Sequence, residues 1–332
     1  MEHRQEDWTP KSIWLLALAY GGSYAAFLIA LRYGVPVPAA RPAILTGFAI
    51  GVLLFLPVPI AALGQRARTL GKPDVKRGFW SGISAAVIAL ATAIAFSFDG
   101  IGILTALLFM RGGVLILSPL IDRSLGRSVA VASWIALGLS LIAVSLAIWG
   151  LGTITVSPAL GATLGLYLLG YGVRLSFMTR AAKSDTAGLR AVYLSQELIW
   201  TATALGIAAF GLWLSGRAPL AGFLPFLPAG LAYASALTAG SLIYLDAREN
   251  SFTIPINRGA SLLAGLFVAF CFAAFGVGAP PKGIDLIAAG FILCALSVLA
   301  FKPLQHHNSA QKRHSKSSRR HTACPPYGRV GQ

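Results

Sequence analysis

Charge is what this chain of 332 residues has least of. Asp, Glu, Lys and Arg together make up 11%, against about a quarter in soluble globular proteins. With 56% hydrophobic residues and a mean hydropathy of +0.72, too few polar side chains remain to clothe a water-soluble globule, which excludes the soluble enzyme classes. Acid is scarcer than base, 11 residues against 27, for a net charge of +16. That surplus does not mark a nucleic-acid partner, because Lys and Arg sit in short gaps between apolar runs and in a C-terminal tail. Such placement orients a membrane protein. Cysteine is nearly absent: Cys271, Cys294 and Cys324 make neither a disulfide framework nor a zinc spacing. Also missing are a phosphate loop, a His-Glu-x-x-His segment and a Ser-centred elbow. No enzyme activity, cofactor or metal is therefore expected.

What is present is a succession of apolar runs long enough to cross a bilayer as helices. They cover Ile13–Leu31, Pro42–Leu63, Trp80–Phe98, Ile101–Ile121, Val129–Leu151, Pro158–Met178, Ala191–Leu214, Leu224–Leu245, Phe252–Phe275 and Ile284–Phe301. None alternates polar with apolar, as a membrane strand would. The expected fold is an all-α polytopic membrane protein of ten transmembrane helices, the first run being a permanent helix rather than a cleaved leader. With the N-terminus inside, 20 of the 27 Lys and Arg fall on the cytoplasmic side and four outside, which puts both termini in the cytoplasm. A bacterial-type inner membrane is the expected location, and a homodimer is compatible with the sequence.

The chain also repeats itself. Met110-Arg111-Gly112-Gly113-Val114-Leu115 in the fourth run matches Asn257-Arg258-Gly259-Ala260-Ser261-Leu262 in the ninth, at an offset of 147. Asp99 matches Asp246 at the same offset, and Tyr20-Gly21-Gly22 matches Tyr171-Gly172-Val173 at 151. Two halves of five helices follow, residues 1–155 and 156–302, trailed by a basic tail over 303–332. Five being odd, the halves enter the membrane from opposite sides as inverted repeats. From Lys302 to Gln332 there are seven Lys and Arg and no acid, so the tail is expected to be disordered and drawn to anionic lipids.

Ten helices in this order, with Leu107-Leu108-Phe109-Met110-Arg111-Gly112-Gly113 leading to Ser118-Pro119 and Asp122-Arg123-Ser124-Leu125-Gly126-Arg127, resemble the drug/metabolite transporter superfamily. The likeness is strongest to its EamA-like branch and covers about residues 11–302. It implies secondary transport of a small molecule, in a cavity lined by the first, third, fourth, sixth, eighth and ninth helices, with the fifth and tenth peripheral.

Charges inside the apolar runs are the sharpest functional signal, since a charge at mid-bilayer costs at least a few kcal/mol unless paired or hydrated. Arg174 and Glu197 lie at similar depths on consecutive helices, and a structural salt bridge between them is expected. Snorkelling of Arg174 is the alternative. Arg111 lies roughly 15 Å from either end of its run at 1.5 Å per residue. Arg111 and Arg258 have no evident carboxylate, and guanidinium forks suit phosphate and carboxylate oxygens. An anionic cargo in a shared cavity is one account of them; pairing with backbone carbonyls, Asp99 or Asp246 is the other. The resemblance adds that triose-phosphate-type members of the superfamily clamp phosphates with basic residues. Tyr20 with Tyr24, and Tyr167 with Tyr171, are spaced to share a helix face, either lining that cavity or packing between helices. Asp99 and Asp246 are candidates for ion coupling or for exposed caps.

Overall fold

A computed structural model of the chain describes residues 13–33, 41–67, 75–98, 103–124, 129, 131–151, 157–182, 187–216, 220–245, 250–276 and 280–299. Among the described residues there is no strand. The helices are α1 (Ile13–Tyr33), α2 (Arg41–Phe55), α3 (Pro57–Ala67), α4 (Val75–Phe96), α5 (Ile103–Ser124) and α6 (Val131–Leu151). They continue with α7 (Pro158–Ala182), α8 (Ala187–Leu214), the short α9 (Leu220–Phe223), α10 (Leu227–Tyr244), α11 (Asn250–Ala274) and α12 (Gly283–Leu299).

Eight spans among the described residues are long and apolar enough to cross a membrane: α1, α2 with α3, α4, α5, α6, α8, α10 with its lead-in, and α11. Two predicted runs fall outside that set for different reasons. α7 has the length, but Tyr167, Tyr171, Arg174 and Arg180 dilute it; α12 is apolar but shorter. Large apolar side chains face outward, among them Leu18 (72% exposed) and Phe267 (62%), while Arg111, Arg174, Glu197 and Arg258 are buried. Trp14, Trp80, Trp149 and Trp213, near helix ends, are also exposed. This polarity is that of a multi-pass helical membrane protein.

Proline shapes the spans. The predicted Pro42–Leu63 run bends at Leu56, where Pro57 and Pro59 each lack an amide hydrogen. Bonds from Leu56 N to Val52 O and from Ile60 N to Leu56 O, both 3.1 Å, carry the ladder across the joint between α2 and α3. Pro225 lies in the 3-10 turn Leu224–Phe226 that leads into α10.

Packing contacts run in a closed ring: α1 on α10, α10 on α2, α2 on α8, α8 on α4, α4 on α7, α7 on α5, α5 on α11, and α11 back on α1. α6 packs on α5, and α12 lies against Gly112 of α5, Gly150 of α6 and Gly259 of α11. Glycine decides how tightly the ring closes. A Cβ on Gly47, Gly51 or Gly230 would collide with the carbonyls of Phe223, Leu227 and Phe48 respectively, so α2 and α10 touch backbone to backbone. Gly161 and Gly165, at the same four-residue spacing, face open space; spacing alone marks no helix contact. Gly51→Val is expected to lower stability by at least about 1–3 kcal/mol, and Gly161→Ala to leave it unchanged or slightly raised. Thermal unfolding in detergent would measure both.

Candidate functional site

Inside the ring lies a polar chamber of about 20 Å³, room for about one water molecule. Its walls come from six helices: Tyr20 and Tyr24 of α1, Thr92 of α4, Arg111 of α5, Tyr167, Tyr171 and Arg174 of α7, Tyr233 and Tyr244 of α10, and Asn257 of α11. Local sequence explains how these groups meet. Gly113, two residues after Arg111, lets α7 close until Leu168 occupies the place of its side chain; the preceding Tyr167 then reaches Arg111. Gly240 makes room for both the Tyr20 ring and the Asn257 amide, which would lie 3.2 and 3.0 Å from an added Cβ.

Arg111 donates from Nη1 to the Tyr167 hydroxyl at 3.1 Å and stands 4.9 Å from the centre of the Tyr24 ring. Its Nε has no hydrogen-bond partner. Arg258 does not touch the chamber itself but stands behind two of its walls, 4.3 Å from the Tyr171 ring and 5.8 Å from that of Tyr244. Tyr244 donates to Asn257 Oδ1 at 2.9 Å. Arg258 is fully buried, and Nε, Nη1 and Nη2 all lack a hydrogen-bond partner. A fully desolvated cation in that position costs several kcal/mol, of which each ring face returns about 2 kcal/mol. The Tyr24 hydroxyl and Asn257 Nδ2 are unpartnered too.

The two cations share one register. Arg258 follows Arg111 by 147 positions, Tyr171 follows Tyr24 by 147, and Tyr167 follows Tyr20 by 147. Each guanidinium thus stands over the ring of the matching position on α1 or α7. The offset of 151 between Tyr20 and Tyr171 is one turn out; four residues keep a helix face, so both registers look alike in sequence, and the contacts follow 147.

At one end of the chamber Arg174 binds Glu197, with Nη2 at 2.6 Å and Nε at 3.2 Å from Oε1. Both are buried. Arg174 Nη2 also donates to Ser241 Oγ at 2.6 Å, and Ser81 Oγ donates to Glu197 Oε2 at 2.6 Å. Tyr193 donates in turn to Ser81 Oγ at 2.6 Å. The pair ties together α7, α8, α10 and α4. The ring of Tyr233, which also lines the chamber, and those of Phe27 and Phe48 meet with centres 5.1–5.9 Å apart, and Phe96 packs on Phe27, forming an aromatic cluster beside the chamber.

The structure therefore brings Arg111, Tyr20, Tyr24, Tyr167 and Tyr171 to the chamber, sets Arg258 behind it and joins Arg174 to Glu197. Asp99 and Asp246 lie outside the described residues, as does the tail. Tyr233, Tyr244 and Asn257 were not foreseen; polar aromatics and an amide deep in apolar runs were the available signal. Asp285 was not foreseen either. Although near a helix end, it is buried and accepts from Thr105 Oγ1 at 3.0 Å, fastening α12 to the start of α5. No cluster of three His, Cys, Asp or Glu suited to a metal occurs among the described residues.

No family model matches the chain, and no curated protein does. Fifteen chains of solved structures resemble it. One, a crystal structure, superposes with a TM-score of 0.56 over 87% of this chain and 96% of that one, at 15% identity. The likeness is one of fold.

Proposed function

We propose that the protein is a secondary transporter of a small anionic or amphipathic metabolite, working by alternating access between two inverted five-helix halves in a bacterial-type inner membrane, with both termini cytoplasmic. The observation that carries this is the chamber's charge: Arg111 and Arg258 are buried together among tyrosines, and among the described residues the one carboxylate in contact with the chamber's cations is already bound to Arg174. A bound oxyanion would neutralise the surplus and satisfy the free guanidinium nitrogens.

Packing supports the two halves. Exchanging α1 with α7, α2 with α8, α4 with α10 and α5 with α11 maps the ring of contacts onto itself. Counted as ten spans, the chamber draws on the first, third, fourth, sixth, eighth and ninth, the set implied by resemblance to EamA-like transporters. The fifth and tenth spans, α6 and α12, stand outside the ring. The aromatic cluster at Tyr233 is suited to act as a gate, and at about 20 Å³ the chamber must widen to admit a substrate.

Proteoliposome uptake across phosphates, carboxylates, amino acids and nucleotides would test the proposal. Arg111→Gln is expected to cut uptake of the accepted anion at least about 100-fold, the effect of removing a charged hydrogen-bond donor worth about 3 kcal/mol. Unchanged uptake at normal protein levels would refute it. One observation favours a second reading, movement of a lipid-linked phosphate. A lateral apolar groove of about 770 Å³ runs between α1, α11 and α12, and Gly21 packs against Ala260 where α1 and α11 meet. Scrambling of a labelled anionic lipid, without flux of soluble anions, would select it.

A further inference from the structure

Arg174 faces two ways. The residue lines the chamber, and its guanidinium holds Glu197 through two nitrogens. Glu197 is fully buried, and each helix packed on α8 can be examined for other charges. From α4 comes the Ser81 hydroxyl, with Lys76 and Arg77 at that helix's start. From α7 comes Arg174, with Arg180 in the last turn. α2 and α3 contain no acid, and their only cations, Arg41 and Arg66, sit at helix ends. α8 itself contributes Tyr193, through Ser81, and bears Arg190 one turn from its start. Arg174 is thus the cation in direct contact with Glu197, and it is also within reach of a chamber ligand.

We infer that Glu197 is a proton-binding site coupled to the chamber through Arg174, so that an anion and a proton bind together. This rests on the chamber being an anion receptor. With the chamber empty, Arg174 donates to Glu197. When an oxyanion takes those N–H groups, Glu197 is left as an unpaired carboxylate in a dry site, where the neutral acid is the favoured form. It takes a proton from the medium onto Oε2, the oxygen that Ser81 faces. Charge balances, since one negative ion and one proton enter together and the pair Arg⁺/Glu⁻ becomes Arg⁺·anion⁻ with neutral Glu. A path for the proton stands ready: Tyr193 donates to Ser81 and Ser81 to Glu197 Oε2, 2.6 Å at each step, and Tyr193 lies one turn closer than Glu197 to the start of α8.

The test is calorimetry of the full chain in lipid nanodiscs, titrated with sulfate and with acetate, both fully ionised at neutral pH. Two buffers of unequal ionisation heat report proton uptake. The wild type is expected to take up about one proton per anion, with affinity rising about tenfold for each unit of pH decrease, one linked proton's worth. Glu197→Gln is expected to bind the anion with neither proton uptake nor pH slope. Anion binding by the wild type without proton uptake overturns the coupling and leaves the anion chamber standing. Failure of the folded wild type to bind either anion overturns the chamber and the coupling with it. Infrared spectroscopy of Arg174→Gln is a check that needs no anion. It should show a carboxylic-acid band at neutral pH that disappears in the Arg174→Gln/Glu197→Gln double variant; an ionised Glu197 in Arg174→Gln overturns the coupling.

Discussion

Arg258→Met is expected to make the empty protein harder to unfold, although it removes the largest fully buried polar side chain but one. Among the described residues Arg258 has no hydrogen-bond partner, and its guanidinium faces the Tyr171 and Tyr244 rings. Replacing buried charges by apolar groups of similar volume is often neutral or stabilising by about 1–4 kcal/mol. Losing the ring contacts subtracts from this gain without cancelling it. The same substitution should weaken stabilisation by a bound anion, because it removes one of the two charges the anion would neutralise. Thermal unfolding in nanodiscs, with and without sulfate, measures both effects. A loss of several kcal/mol in the empty variant would mean that Arg258 is already compensated. A natural chain retains a cation at such a cost where its activity uses the strain.

The opposite result is expected at the other end of the chamber. Arg174→Gln or Glu197→Gln alone should lower stability by about 3–5 kcal/mol, the usual consequence of leaving one member of a buried pair uncompensated. The double variant should recover most of the loss, since Ser81 and Ser241 can hydrogen-bond to neutral amides as well as to ions. Denaturation of the three variants would show this, and additive single effects would contradict a coupled pair.

These two predictions mark what sequence could and could not disclose. Arg174 and Glu197 were readable because consecutive antiparallel helices put equal depths side by side, and depth is a matter of counting residues. Arg111 was readable for a similar reason, lying far from both ends of its run. Facing direction was not readable. In α1, α7 and α10 nearly every side is apolar, so no polar face shows which side turns inward. Tyr20, Tyr24, Tyr167 and Tyr171 were therefore compatible with a cavity as well as with plain helix packing, and Tyr233 and Tyr244 carried only the signal of a polar aromatic deep in an apolar run, which does not show the side it faces. The four-residue ambiguity between offsets of 147 and 151 has the same origin, since one helical turn preserves the face. The break at Leu56 followed from Pro57 and Pro59, but the backbone contacts of Gly47 with α9 and of Gly51 with α10 needed the partner helices in place, as the bare faces of Gly161 and Gly165 demonstrate.

The most direct test is to find the anion. Selenate has the shape and charge of sulfate, and its selenium can be located by anomalous diffraction in crystals soaked at saturating concentration. A peak inside the ring, within hydrogen-bond reach of Arg111 and among Tyr24, Tyr167 and Tyr171, is the expected result, with the chamber widened beyond its present 20 Å³. Selenium density at helix ends alone, with Arg111 and Arg258 still facing only their tyrosines, would contradict the anion chamber.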